Sequence, residues 1–228
     1  DDGFEYYLSS VALDVSEKKP SKQYKNRAEI IAGRPVIEDG LLGLAFEISP
    51  YSFYQVNPVQ AERLYEKAVE YAGIKGGETV LDLYCGVGTI GLFMASAGAG
   101  KVIGIELVKE AVLNANRNAV INGIVNAIYY TGKAEEELQR LRAEGEIEKA
   151  DVVILDPPRK GCDEALLKAV VETEADRIVY ISCDPATMSR DIKYLVENGY
   201  EYVKGTPVDM FPHTGHVESV VLMSKAQK

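Results

Sequence analysis

Cys183 sits where a thiol is a poor choice for packing and a good one for chemistry. Arg177-Ile178-Val179-Tyr180-Ile181 reads as a short apolar strand, and Ser182-Cys183-Asp184-Pro185 follows it. Asp184 has the side chain of an N-cap, and Pro185 suits the first helical position. The pattern therefore puts Cys183 at a strand end beside a helix N-terminus. That setting favours the thiolate, the nucleophilic form of cysteine. A free cysteine elsewhere is usually a small buried hydrophobe. Cys162 is read in that structural way.

Two further stretches carry polar chemistry. Val80-Leu81-Asp82-Leu83-Tyr84-Cys85-Gly86-Val87-Gly88-Thr89-Ile90-Gly91 reads as strand, glycine turn and helix. Gly86, Gly88 and Gly91 fit GxGxxG, and Glu106 closes the next strand. In such a unit the backbone approaches a nucleotide at the turn, and an acid takes the ribose hydroxyls. Asp156-Pro157-Pro158-Arg159 then follows an apolar strand that delivers Asp156 to the same edge as Gly86 and Glu106. A nicotinamide dinucleotide and S-adenosylmethionine compete for this pocket. A pyrophosphate would be repelled by Asp82 and Asp156, whereas a methionyl ammonium and a sulfonium suit acids, so S-adenosylmethionine is favoured. Asp82 has a plainer role open to it, capping the turn through hydrogen bonds.

The elements that must position these residues are legible from periodicity. Asn57-Pro58 starts a helix whose apolar residues Ala61, Leu64, Tyr65, Ala68, Val69 and Ala72 recur at helical spacing, stopped by Gly73. Strands are expected at Thr79–Leu83, Val102–Ile105, Ala127–Tyr130, Val152–Leu155 and Ile178–Ile181. Helices are expected near 89–96, 109–121, 134–143, 163–172 and 186–198. This alternation gives a parallel sheet with helices on both faces. Strands near 200–206 and 217–223 have no helix between them and form an antiparallel hairpin. The fold class is thus α/β, Rossmann-like, with a seven-stranded, mostly parallel sheet.

Residues 1–48 form a separate β-rich segment. Tyr6 to Val15 and Ala28 to Ala32 read as strands, Glu38-Asp39-Gly40 as a turn, and Leu44, Phe46 and Ile48 as part of a further strand. This segment is too small for a core of its own and is read as the stump of a second domain, with 49–228 as the main domain. The chain begins at Asp1 rather than methionine, as expected of an excised fragment or a processed product.

Composition bounds the class. The chain has 228 residues, a formal net charge of -10 and 3 cysteines without a CxxC pair. Odd, scattered thiols argue against a disulfide framework or zinc site and for a reducing, cytoplasmic compartment. No apolar stretch approaches a membrane span. A compact nucleic-acid binder is usually basic, so any nucleic-acid contact must be local. Lys18, Lys19, Lys22, Lys25, Arg27 and Arg34 form one candidate patch, with a solvated loop as the alternative.

Taken together, the motifs closely resemble the RNA uracil-5-methyltransferases, which make 5-methyluridine in transfer and ribosomal RNA. The matching pieces are Ser52-Phe53-Tyr54-Gln55-Val56-Asn57, the Asp82–Gly88 turn, Asp156-Pro157-Pro158-Arg159, Ile181-Ser182-Cys183-Asp184-Pro185 and Phe211-Pro212-His213-Thr214-Gly215-His216-Val217-Glu218-Ser219. The resemblance implies a methyltransferase sheet of order 3-2-1-4-5-7-6. It implies that Gln55, Tyr84, Glu106 and Asp156 contact S-adenosylmethionine, which leaves as S-adenosylhomocysteine. It makes Cys183 the nucleophile and Glu218 the base. An RNA uridine is the implied substrate, ribosomal RNA ahead of transfer RNA, with no membrane and no obligate protein partner. Many members of that family carry an N-terminal RNA-binding β-barrel and some an iron–sulfur cluster, neither of which this sequence includes.

The implied chemistry fits the residue types. Carbon 5 of uracil is a weak nucleophile until a thiolate adds to carbon 6. A shielded glutamate, its pKa raised by burial, can then remove the hydrogen from carbon 5. Phe53, Arg159 and Lys160 are candidates for holding the target base and nearby phosphate. Two other readings compete: an N-methyltransferase acting on a purine of RNA or DNA with Cys183 inert, and a non-catalytic, RNA-associated protein that binds S-adenosylmethionine.

Overall fold

The computed structural model describes residues 10–14 and 28–226. Its centre is a seven-stranded sheet. The strands are β5 (Thr79–Leu83), β6 (Lys101–Glu106), β7 (Ala127–Thr131), β8 (Val152–Leu155), β9 (Arg177–Ser182), β10 (Tyr200–Val208) and β11 (Glu218–Lys225), in the order β10-β11-β9-β8-β5-β6-β7. This is the 3-2-1-4-5-7-6 arrangement. β11 runs antiparallel to both β9 and β10, and the other pairs are parallel. β10 and β11 are joined by residues 209–217 without a helix, and a connection without a crossover helix returns the chain antiparallel.

Before the sheet come β1 (Ser10–Asp14), β2 (Ala28–Gly33), β3 (Ile37–Leu41), β4 (Leu44–Ile48) and α1 (Pro58–Ala72). The remaining helices are α2 (Thr89–Ser96), α3 (Lys109–Ile121), α4 (Ala134–Ala143), α5 (Glu164–Glu172) and α6 (Pro185–Glu197). Helices α1, α2 and α3 cover one face and α4, α5 and α6 the other. Alternation along each strand assigns side chains to the two faces. Val80, Ile154, Val179, Ile181 and Val220 pack toward α1, whereas Leu81, Leu155, Tyr180 and Val221 pack toward the opposite helices. Continuing that period two residues past Ile154 and Ile181 carries Asp156 and Cys183 to the α1 side. Glu218, two residues before Val220, shares that side.

The N-terminal strands form two small antiparallel pairs, β1–β2 and β3–β4. The turn expected at Glu38-Asp39-Gly40 lies elsewhere. Those residues are inside β3, and Leu41 pairs with Leu44 around a two-residue turn at Leu42-Gly43. Both turn residues have positive φ, 47° and 80°, the backbone of a tight type I′ hairpin. The reason is burial: this register seats Leu41, Phe46 and Ile48 in the core beneath α1 and α2, which outweighs the local turn preference of Asp39-Gly40. The hairpin is tied to α3. Buried Asn118 accepts from the Glu47 N–H at 2.7 Å and donates to its carbonyl at 3.2 Å, and Asn122 does the same for Ala45 at 2.9 and 2.7 Å. Two side-chain amides thus complete the edge of a two-stranded ribbon that could not stand alone.

Tyr6–Ser9 and Val15 of the first expected strand lie outside the described residues, as do Lys18, Lys19, Lys22, Lys25 and Arg27 of the basic patch. Arg34 is exposed and paired with Glu38. Among the described residues, no helix is long and apolar enough to cross a membrane.

Candidate active site

The glycine turn is built by steric exclusion. Gly88 caps α2 at φ 83°, and a Cβ there would lie 2.8 Å from the Tyr129 ring. A Cβ at Gly91 would meet the Asp82 carboxylate at 2.8 Å and the Tyr129 hydroxyl at 2.9 Å. Asp82 is completely buried, and its Oδ2 accepts from the Gly91 N–H at 2.8 Å. The plainer role for Asp82 is therefore the one its contacts fill: it anchors the start of α2. Its Oδ1 has no partner, and burial pushes its pKa up to about 7.

Glu106 borders the same turn. Its two carboxylate oxygens accept from the Gly86 N–H at 3.3 Å and the Val108 N–H at 2.8 Å. The segment before α1 passes over this turn, since the Phe53 carbonyl is what a Cβ at Gly86 would first meet, at 4.0 Å. Gln55 on that segment is buried, and Phe53 is exposed. Asn57 caps α1 by accepting from the Gln60 N–H and donates through Nδ2 to the Met210 carbonyl at 3.0 Å. This amide links the segment over the turn to the loop that leads into Glu218. Tyr84 has φ 66° and packs toward the α4–α6 face, near Cys162 and Asp163, so it leans away from Asp82.

The second group lies along the carboxyl edge of β8 and β9. The β9–β11 ladder ends at Ser182 opposite Ser219. Cys183 follows Ser182 in a bend and Glu218 immediately precedes Ser219, so the two meet at the end of the ladder, where the Glu218 charge acts on the thiol. Asp156 follows Leu155, whose partner in β9 is Tyr180. Cys183 is partly exposed, and Glu218 is only 6% exposed. Burial raises the Glu218 carboxyl above its ordinary range, with Arg159 opposing. Asp156 keeps part of its surface open, yet burial first, then Glu218 and Asp82, push its carboxyl to about 8.

Cys183 departs from expectation. Asp184 does cap α6, accepting from Ala186 N–H at 2.9 Å and Thr187 N–H at 3.1 Å, and Pro185 opens the helix. The thiol pKa is nevertheless raised, by burial and then by Glu218, with Arg159 pulling the other way. Desolvation and a neighbouring carboxylate outweigh the helix end, because both act directly on the sulfur.

Two participants were under-read in the sequence. Tyr65, read above as one apolar position of α1, is buried, and burial first, then the charges of Asp156, Tyr54, Asp82 and Glu218, drive its hydroxyl pKa well up. Its only sequence signal is a phenol within a stripe of Ala, Leu and Val. Arg159 is the second. Its Nη2 lies 3.2 Å from Nδ1 and 3.4 Å from Nε2 of His216. One atom that close to both ring nitrogens must sit over the ring face, since an in-plane approach would collide with the carbon between them. Arg159 therefore spans from His216 to the Cys183–Glu218 pair. Cys162 is buried, with its sulfur 3.7 Å from the Tyr180 hydroxyl, as a structural thiol should be.

Comparison with known proteins identifies the family. The sequence profile of the family described as tRNA (Uracil-5-)-methyltransferase matches residues 37–226. An uncharacterized RNA methyltransferase of Caldanaerobacter subterraneus subsp. tengcongensis is 50% identical over 218 residues, covering 96% of this chain and 48% of that protein. Another from Bacillus cereus is 47% identical over 221 residues, covering 97% and 47%. The crystal structure of Pyrococcus abyssi tRNA (uracil-54, C5)-methyltransferase in complex with S-adenosyl-L-homocysteine superposes with a TM-score of 0.77 at 34% identity, covering 96% of this chain and 51% of that one. The chain spans about half the length of the relatives it matches. It belongs to the tRNA (uracil-5-)-methyltransferase family.

Proposed function

We propose that this chain is the catalytic part of an enzyme that transfers a methyl group from S-adenosylmethionine to carbon 5 of a uridine in ribosomal or transfer RNA. The observation that carries this reading is the meeting, at the end of the β9–β11 ladder, of a partly exposed thiol, Cys183, with a buried carboxyl, Glu218, whose charge acts on both that thiol and Asp156. In this reading residues 49–228 are the catalytic domain and 1–48 a β-rich remnant of an RNA-contacting domain. The free cysteines suit a reducing, cytoplasmic setting.

The cofactor fits the residues present. Space without a side chain at Gly86, a glutamate beside the turn, and buried acids without a matching cation suit a ligand that is itself cationic. Gln55, Tyr84, Gly86, Glu106 and Asp156 would hold it. When bound it supplies an electrophilic methyl group.

Cys183 adds through sulfur to carbon 6 of the uracil, turning carbon 5 into an enolate carbon able to accept that methyl. Arg159 favours the thiolate that this addition needs. Glu218, ionised, then takes the hydrogen from carbon 5. The electron pair of that bond forms the carbon 5–carbon 6 double bond and expels the Cys183 thiolate. A carboxyl with a raised pKa is the stronger base for this step. Purine N-methylation needs no adduct and leaves the Cys183–Glu218 pairing without a role.

RNA carrying 5-fluorouridine tests the proposal. The fluorine cannot leave as a proton, so with S-adenosylmethionine present the adduct should persist at Cys183, visible as a mass shift on the peptide containing it. Methyl transfer without any adduct would favour the purine N-methyltransferase.

A further inference from the structure

The loop after Asp156 is held by α6 through four hydrogen bonds, at Arg159, Lys160 and Cys162. Thr187 Oγ1 donates to the Arg159 carbonyl at 3.0 Å. Arg190 Nη2 donates to the carbonyls of Lys160 at 3.1 Å and Cys162 at 3.0 Å. The Cys162 N–H donates to Asp191 Oδ2 at 2.8 Å. Gly161, between them, has φ 73°, and a Cβ there would strike both Arg190 and Asp191 at 2.6 Å. Asp191 is completely buried. It accepts the Tyr180 hydroxyl at 2.6 Å through Oδ2 and is paired through Oδ1 with the Arg190 guanidinium, Nε at 2.8 Å.

A buried carboxylate with this many partners is costly to build, and nothing in the methyl-transfer steps uses it. Its location explains it. Tyr180 stands three residues before Cys183 on β9, and α6 begins two residues after Cys183. The loop it grips carries Arg159, which reaches to the face of His216 two residues before Glu218. On the reading proposed above, we propose that Asp191 is a positioning residue: with Tyr180 and Arg190 it clamps the 159–162 loop onto α6 and so fixes Arg159 against Cys183 and Glu218. Arg190 and Thr187 act in the same clamp, and none of the three touches a reacting atom.

The test reads the Cys183 thiol directly, without RNA or cofactor. The rate of Cys183 alkylation by iodoacetamide is followed against pH by peptide mass spectrometry. Asp191→Asn should move the midpoint upward by about half a unit or more, since a cation held within a few ångströms favours the thiolate. Arg159→Ala should move it in the same direction. Adding Asp191→Asn to Arg159→Ala should then change nothing further, because the clamp acts through Arg159. An unchanged profile in a cooperatively melting Asp191→Asn protein, or a full additional shift in the double variant, overturns the proposal. Should Asp191→Asn fail to fold, Thr187→Ala, which removes a single hydroxyl, must give a smaller shift in the same direction. The 5-fluorouridine adduct of the unaltered protein separates the two ideas. Its absence strikes the uracil reading, whereas the alkylation profile reports on the clamp alone.

Discussion

Glu218 opens β11 one residue before Ser219, and Cys183 follows Ser182 by one residue, so the two flank the Ser182–Ser219 pair that ends the ladder between β9 and β11. Residues 35 positions apart in the chain thereby come within electrostatic reach of each other, with Asp156 just past the end of the neighbouring strand. Antiparallel pairing is what allows it: the carboxyl end of one strand meets the amino end of the next.

Separate roles for nucleophile and base predict two different failures. Cys183→Ala should abolish both methyl transfer and the adduct with 5-fluorouridine RNA. Glu218→Gln should keep addition and methyl transfer but lose release. Turnover should fall by about 10²–10⁴-fold, the range for loss of a general base, and a covalent methylated RNA complex should accumulate. Denaturing gels of each variant with unmodified RNA check this; free turnover in Glu218→Gln would remove the base assignment.

Asp156 makes cofactor binding depend on pH. Its carboxyl, raised to about 8, is largely protonated at neutral pH and ionises as pH rises. A cationic ligand prefers the ionised form. Affinity for S-adenosylmethionine should therefore increase with pH, by up to about tenfold per unit below 8, and level off above it. Asp156→Asn should bind more weakly at high pH and show a flat profile. Titration calorimetry from pH 6 to 9 measures both, and affinity that falls with pH would contradict the assignment.

Asp82 couples stability to pH in the opposite sense from a salt-bridged acid. Its folded-state pKa of about 7 lies above the unfolded value, so the folded chain holds a proton that the unfolded chain releases earlier. That contribution is intact below pH ~4 and is lost as pH rises to about 7, an upper bound of ~4 kcal/mol. Asp82→Asn cannot ionise, so its melting temperature relative to the parent should climb between pH 4 and 7 and then plateau. Thermal melts across that range decide it; a constant offset would mean that Asp82 is ionised throughout.

Charge and length bear on RNA. With a net charge of -10 and about half the span of its relatives, the 228-residue chain should bind S-adenosylhomocysteine yet methylate RNA poorly at physiological salt. Adding the remaining half of a homologous protein as a fusion should raise the rate. Robust turnover by the chain alone would show that these 228 residues suffice for RNA.

Much of this was legible before any coordinates. The alternation of apolar runs located all seven strands of the main sheet and the helices between them, because strand period and helix period are set by local geometry. The same period-two count carries Cys183 and Asp156 to one face from Ile181 and Ile154. Asn57, Asp184 and Pro185 marked helix starts, since a cap satisfies backbone donors within its own turn.

What escaped was non-local. Asp39-Gly40 looked like a turn until the burial of Leu41, Phe46 and Ile48 moved the hairpin to Leu42-Gly43. Cys183 looked like a favoured thiolate until Glu218 and burial were weighed against the helix end. The stack of Arg159 on His216 and the grip of Asp191 on the 159–162 loop join residues 57 and about 30 positions apart. Sequence by itself determined which segments become strands and helices, and which face each side chain takes, because those are properties of neighbouring residues. Only the tertiary structure decided which polar groups stand together and how strongly each is desolvated, because charge interactions and burial depend on distance through space rather than along the chain.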